Sequence, residues 1–163
     1  MKTIGKYLGV ILFSLWAIGA YAITIPVFVP TLDGRGIYVG TVRADDTIYG
    51  LVLTPKLYHL PPGVHGFAID TFGNCNKPGG HLDTDKSDRH RGPFDNGHVG
   101  DLPVLVVNDK GYARLPVLAP RLKLAYITGR SLVIALGGDN YADFPKENGG
   151  SGGQLACGRI PYH

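Results

Sequence analysis

The sequence has no strong excess of charge of either sign. Its 163 residues carry a formal net charge of +3, with 16 Lys and Arg against 13 Asp and Glu. Such a small and scattered excess does not form the basic surface that nucleic acids require, so we expect no nucleic acid partner. The hydrophobic fraction, 44%, suits one globular domain that is long enough to bury a core.

Runs of helix-forming residues are scarce as well. The chain contains 24 Gly and 12 Pro, and short alternating or β-branched segments recur between turn signals. This pattern is typical of short strands and predicts an all-β fold, an eight-stranded antiparallel barrel or sandwich. Residues 23–35 can form a first strand or a loose arm. The eight predicted strands are 36–42, 47–53, 64–69, 103–107, 112–117, 123–127, 131–136 and 154–160.

Only one long apolar run is present, at residues 7–18. Two lysines precede it, and an A-x-A motif follows at 20–22, so the pattern predicts a secretory signal peptide over 1–22 and a mature domain over 23–163. The alternative is an uncleaved membrane anchor, but the run is shorter than the roughly 20 residues that span a bilayer. We therefore expect a secreted or periplasmic protein that has no membrane attachment after cleavage.

Cysteine is rare, and the two that occur, Cys75 and Cys157, are far apart in the sequence. In an oxidising compartment such a pair is most simply explained as one disulfide. Closing so long a loop would stabilise the fold by about 4 kcal/mol through the unfolded state. Free thiols or a reactive cysteine are the alternatives.

Two long segments have no strand pattern. We call residues 71–102 the metal loop and residues 137–153 the second loop. Long loops inside compact domains are usually functional or disordered. The metal loop contains three histidines and an aspartate within 21 residues, a set of donors that is sufficient for tetrahedral Zn(II). Since all four coordination positions would be filled by protein side chains, the site would be structural. The alternative to metal binding is that these are solvated histidines of a loop. The four residues are His81, His90, His98 and Asp101.

The sequence "HGFAID" at 65–70 lies on a predicted strand, and the question is whether its side chains include metal ligands. Alternate side chains of a strand share a face, so Ala68 and Asp70 point the same way. Ala68 has no donor atom, and Asp70 offers a carboxylate where an imidazole would suit a redox metal better.

At this point the chain resembles the copper/zinc superoxide dismutases, most closely the exported bacterial branch. The resemblance implies an eight-stranded Greek-key β-barrel with a metal loop, an electrostatic loop and one internal disulfide, Cys75–Cys157. It covers the chain from about residue 36 onward. The stretches that carry it are "LPPGVHGFAIDTFGNC", "PGGHLD", "RHRGPFDNGHVGDLPVLVV", "GYARLPVLAPRLKL", "GRSLVIALGGDNYADFP" and "GGQLACGRI".

The resemblance assigns a complete zinc half-site. His81 matches the histidine that bridges the two metals, His90 and His98 match the other zinc histidines, and Asp101 matches the zinc aspartate. Asp139 matches the aspartate that hydrogen-bonds a zinc histidine and fixes its ring orientation. The alternative for Asp139 is an ordinary turn residue of the second loop.

The copper half-site does not carry over. Two copper histidines of the family correspond to Ala68 and Asp70, and a third corresponds to Ala135. The arginine that attracts the anion corresponds to Gln154, which removes the positive end of the steering field. His65 matches a structural histidine that binds no metal, and we expect it to hydrogen-bond a loop.

These substitutions predict a zinc-binding relative of the superoxide dismutases that has no copper centre and no dismutase activity. The expected cofactor is Zn(II), with no copper. Two alternatives stay open: weak or atypical metal-dependent dismutation at Asp70 and His81, and an exported module that binds a protein or buffers zinc. The resemblance is compatible with a homodimer, but the sequence identifies no particular partner.

Overall fold

A computed structural model describes residues 22–162 of the chain. The predicted signal peptide therefore lies outside the described residues, apart from Ala22. Within the described range, no helix is both long and apolar enough to cross a membrane. That range contains nine strands: β1 Ala22–Val29, β2 Ile37–Thr47, β3 Gly50–Leu57, β4 Gly63–His65, β5 Phe67–Asp70, β6 Leu105–Val107, β7 Val117–Ala119, β8 Ser131–Ala135 and β9 Gln154–Arg159. One helical turn, α1 Leu124–Ile127, and a 3₁₀ turn, Asn148–Gly150, complete it.

Seven strands form one curled sheet in the order β5-β8-β9-β1-β2-β3-β7, and β4 pairs with β6. Every strand pair is antiparallel. The predicted all-β fold is confirmed.

The core lies inside the curl of the sheet. In β1 the side chains of Ile23, Ile25 and Val27 are buried, and the residues between them face outward. This alternation is what a strand with one face in the core requires. The same cluster includes fully buried residues of β3, β8 and the segment before α1, namely Leu51, Leu53, Leu132, Ile134 and Leu122.

Strand β5 is buried along its whole length, because the metal loop covers it. The backbone N–H of Ile69 donates to the carbonyl of Gly100 (2.9 Å), and that of Leu82 donates to the carbonyl of Ile69 (2.8 Å). Two parts of the metal loop, around residue 82 and around residue 100, are thereby fixed beside this strand.

One predicted strand is wrong. In the predicted strand 123–127, residues Leu124–Ile127 form α1 instead, although "KLAYI" is rich in strand-type residues. The buried residues are Leu124 and Ile127, three apart, and Tyr126 is exposed. That spacing buries one face of a helical turn, whereas a strand would have buried alternate residues.

Other predicted strands have different bounds. Residues 64–69 form parts of two strands, β4 and β5, which belong to different sheets. Residues 47–53 include a two-residue turn, since Thr47 of β2 pairs directly with Gly50 of β3. In 112–117 only Ala113 forms a bridge, and regular pairing begins after Pro116, which has no N–H to donate. Residues 23–35, left open by the sequence, supply most of β1.

The predicted disulfide between Cys75 and Cys157 is present, with 5.7 Å between the Cα atoms. Cys157 belongs to β9 and is buried, so the bond fastens the start of the metal loop to the centre of the sheet.

Candidate metal centre

Four donor side chains of the metal loop converge on one point. The ligand atoms offered by His81, His90, His98 and Asp101 all lie within 4.8 Å of one another. The Nδ1 atoms of the three histidines are 2.8, 3.0 and 3.4 Å from Asp101 Oδ1, in that order. The structure therefore brings together all four residues that the sequence proposed as metal ligands.

The fold places these donors by backbone pairing. His81 bridges to Asp70 at the end of β5, and Asp101 bridges to Ala68 two residues earlier. The second carboxylate oxygen of Asp101 accepts the backbone N–H groups of residues 91 and 92, each at 3.1 Å. This leaves Asp101 Oδ1 directed at the histidines.

The unpaired atoms of the cluster are consistent with a bound cation. Within residues 22–162, Nδ1 of His90 and Nδ1 of His98 are buried and form no hydrogen bond, although both lie near Asp101 Oδ1, which is hydrogen-bonded to His81. Buried polar atoms are nearly always paired, and an unpaired one calls for a water or an ion. Three imidazole nitrogens and one carboxylate oxygen are a donor set that binds divalent transition metals.

The electrostatics of the cluster also favour a positive charge. Burial on its own would lower the pKa of His90, but the carboxylates of Asp101 and Asp139 raise that pKa to about 9. Burial on its own would raise the pKa of Asp101, but the imidazoles of His81 and His90 outweigh it and hold that pKa well below its usual range. Since a metal binds the deprotonated imidazole, it replaces this proton when it binds.

The second loop supports His90 from outside the cluster. Nε2 of His90 lies 2.7 Å from Asp139 Oδ1, and the backbone N–H of His90 donates to Asp143 Oδ2 at 2.9 Å. Asp139 thus lies where the resemblance put it, and its role beside a metal stays a prediction. Asp143 was missed, because a carboxylate that accepts a backbone N–H has no characteristic spacing in the sequence.

Gly149 closes the second loop over this contact. It has φ of +68°, and a Cβ on it would lie 1.8 Å from Asp139 Oδ1 and 3.0 Å from His90 Nε2. The position therefore requires glycine for both its conformation and its lack of a side chain.

Comparison with known proteins gives a consistent result. The family model described as copper/zinc superoxide dismutase matches residues 38–160. Superoxide dismutase (Cu-Zn) 2 of Salmonella typhimurium is 48% identical over 143 residues, which cover 80% of this chain and 83% of that protein. Superoxide dismutase (Cu-Zn) of Legionella pneumophila is 42% identical over 157 residues, covering 94% of each chain. The solved structure of the Cu/Zn superoxide dismutase from Brucella abortus has a TM-score of 0.83 at 37% identity, covering 86% of this chain and 99% of that one.

The chain belongs to the copper/zinc superoxide dismutase family. It combines the fold of that family with a histidine and aspartate group that can hold a metal ion.

On the other side of His81, this member of the superoxide dismutase family presents few donors. Ala68 and Ala135 are both buried, and they line a cavity of about 20 Å³ together with His81, Ser151 and Asp139, whose carboxylate is engaged by His90. A space of that size holds about one water molecule.

Asp70 is the last residue of β5, and its carboxylate is in an unusual environment. It is buried, and its Oδ1 has no hydrogen-bond partner among the described residues. Burial raises the pKa of Asp70, and the charge of His81 opposes this effect.

His65 is structural, as expected. Its Nδ1 lies 2.9 Å from the carbonyl oxygen of Ala135, and its Nε2 lies 2.9 Å from that of Pro61. Both ring nitrogens are therefore occupied by backbone contacts that join β8 to the segment before β4.

Proposed function

We propose that the chain is a zinc-binding member of the superoxide dismutase family that has no copper centre and no dismutase activity. The zinc would be held by Nδ1 of His81, His90 and His98 and by a carboxylate oxygen of Asp101. Four protein donors close a tetrahedral shell and leave no position for a reacting water, which makes the site structural.

The observation that carries the proposal is the difference in donors on the two sides of His81. On one side four donor atoms converge within 4.8 Å. On the other side, Ala68 and Ala135 contribute no donor, and Asp70 contributes a carboxylate. Copper that cycles between two oxidation states prefers nitrogen and sulfur ligands, so one imidazole and one carboxylate are a weak set for it.

A zinc ion at this position would stabilise the parts of the chain that have little core of their own. The cluster joins the metal loop to β5 through His81 and to the second loop through His90. A ligand that binds only the folded state stabilises it by about 4 kcal/mol at 1,000 times its Kd.

Metal analysis of the purified protein tests the proposal. The chain is stripped with a chelator, reloaded with Zn(II) and Cu(II) separately and together, washed, and measured by mass spectrometry of the metals and by a superoxide assay. We expect about one zinc per chain, no retained copper, and superoxide decay equal to that in buffer. One copper retained per chain, or decay faster than in buffer, would overturn it.

A second candidate function is slow metal-dependent dismutation. It is favoured by the unpaired buried Oδ1 of Asp70 near His81, and by the relatives, which carry the name superoxide dismutase. The same assay, run with added copper, manganese and iron, distinguishes the two candidates. A rate that depends on added metal and is lost in Asp70→Asn would favour the second.

We further propose that the chain is exported to an oxidising compartment. The disulfide supports this, because such bonds are rare in reducing compartments. Cell fractionation with mass measurement of the purified protein tests it. We expect a periplasmic or secreted protein that begins at Ile23; a cytosolic protein that retains residues 1–22 would contradict it. A homodimer stays a prediction, which sedimentation would test.

A further inference from the structure

His98 differs from the other two histidines of the cluster in how its ring is held. His81 has a hydrogen bond from its ring to Asp101 (2.8 Å), and the ring of His90 contacts Asp139 (2.7 Å). Within residues 22–162, Nδ1 of His98 has no hydrogen-bond partner. This atom lies 3.4 Å from Asp101 Oδ1 without forming a hydrogen bond, so the hydrogen bonds described for His98 are those of its backbone.

The backbone around His98 is bound by the side chain of Arg121, which lies outside the metal loop. Nη2 of Arg121 donates to the carbonyl of Gly97 at 2.6 Å, and Nη1 donates to the carbonyl of Asp95. Nη1 also lies 3.4 Å from the carbonyl oxygen of His98 itself. One guanidinium thus gathers three carbonyl oxygens of the turn that leads into this histidine.

That turn has little other support. It belongs to no strand or helix, and Phe94 at its start is 72% exposed. The backbone N–H of His98 donates to the backbone carbonyl of Arg89, which belongs to the same loop (2.9 Å). Within residues 22–162, Arg121 is therefore the residue outside the metal loop whose side chain hydrogen-bonds this turn.

The backbone next to Arg121 is held by the core and by β2. It lies between β7 and α1 and is half-buried. The next residue, Leu122, is fully buried, and the backbone N–H of Leu124 donates to Asp46 of β2 at 2.9 Å. The backbone of Arg121 is therefore anchored to the core, and its guanidinium holds the loop in place relative to the core.

We infer that Arg121 is a positioning residue for the metal centre, which holds His98 where the proposed zinc site needs it. The inference rests on the proposed function. A positive charge near a cation site is unfavourable in itself, so the contribution of Arg121 comes from its fork of N–H donors. A lysine would keep the charge and lose that geometry.

The test compares Arg121→Met and Arg121→Lys with Arg114→Met, an exposed arginine that stacks on Tyr112 and serves as the matched control. Zinc affinity is measured by competition with a coloured chelator, and Co(II) replaces zinc to report the ligand geometry in its visible spectrum. Both Arg121 variants should lose zinc affinity 10- to 100-fold, the range found when groups that orient metal ligands are removed. Their cobalt spectra should change, and the control should match the unsubstituted chain.

A double-mutant cycle identifies the route of the effect. If Arg121 acts through His98, then Arg121→Met should cost little further affinity in a His98→Ala background. Equal losses in both backgrounds, or an unchanged affinity and cobalt spectrum in folded Arg121→Lys, would overturn the inference and leave the zinc proposal standing. If the unsubstituted chain binds no zinc, the proposed function fails and this inference fails with it.

Discussion

The two sides of His81 are built from different kinds of structure and present different numbers of donors. The metal-loop side consists of irregular backbone held by side-chain contacts, and four donor atoms meet there. The strand side consists of β5 and β8, which pair regularly from Phe67 with Ile134 to Asp70 with Ser131. The proposed zinc would therefore add its stabilisation on the loop side.

This difference explains how one side can change without the other. Ala68 and Ala135 are packed by neighbouring strands, so the sheet forms whether or not a metal lies beside them. The loop side has no such sheet, and loss of one donor there would leave buried unpaired groups. Under the proposed function, substitutions on the strand side should therefore leave the sheet intact, whereas loss of a loop-side donor should weaken the metal loop.

The largest effect, a change in copper content, should come from giving the strand side of His81 imidazole donors as the loop side has. The triple variant Ala68→His, Asp70→His and Ala135→His should bind about one copper per chain, because it supplies the nitrogen donors that copper prefers. The unsubstituted chain should bind none. Copper content after a chelator wash measures the difference.

A control of similar size but without imidazole is Ala68→Leu, Asp70→Asn and Ala135→Leu. The cavity of about 20 Å³ is small, so both triple variants should lose some stability through overpacking. A folded histidine variant that takes up no copper would show that the shape of the strand side, and not only its donors, differs from that of a copper site.

The next largest effect should follow from breaking the loop side. Asp101→Ala removes the group that faces all three histidines and two backbone N–H groups. Zinc affinity should fall at least about 1,000-fold, and with it the roughly 4 kcal/mol that saturating zinc adds to the free energy of unfolding. Calorimetry with and without zinc measures this. Asp83→Asn, another carboxylate of the same loop, is the control; equal zinc binding by Asp101→Ala would refute the assignment.

An intermediate effect is expected from Asp139→Asn. Asp139 holds the ring of His90 at 2.7 Å without belonging to the cluster of donors. Removing such a partner typically lowers metal affinity 10- to 100-fold, here through a less basic and less firmly oriented imidazole. Zinc competition titrations measure it, with Asn140→Asp in the same loop as the control. No change on Asp139→Asn would make it an ordinary turn residue.

The sequence predicted the donors of the site better than their supports. His81, His90, His98 and Asp101 could be found because metal ligands come from a short menu of residue types. Asp143 escaped, because its bond to a backbone N–H can be made by many acceptors and depends on where the second loop lies.

The same limit applies to the fold. Alternation in the sequence predicted most strands of the sheet, since burial of one face dictates it. The segment Leu124–Ile127 has strand-type residues, yet it forms a helical turn. Which residues of a short segment become buried depends on the surface that it packs against, and composition does not record this.

The smallest effect should be that of Asp70→Asn on zinc binding. Asp70 is buried beside the cluster and pairs with His81 through the backbone, which Asp70→Asn leaves unchanged. In the part of the chain that the structure describes, no hydrogen bond joins its carboxylate to a proposed ligand, so the carboxylate does not orient one. Zinc affinity should therefore change by less than about threefold, against the 10- to 100-fold expected where an orienting hydrogen bond is removed. Competition titration against Asp139→Asn under the same conditions gives the contrast. A tenfold loss on Asp70→Asn would mean that the strand side also takes part in holding the metal, and the separation between the two sides of His81 would not hold.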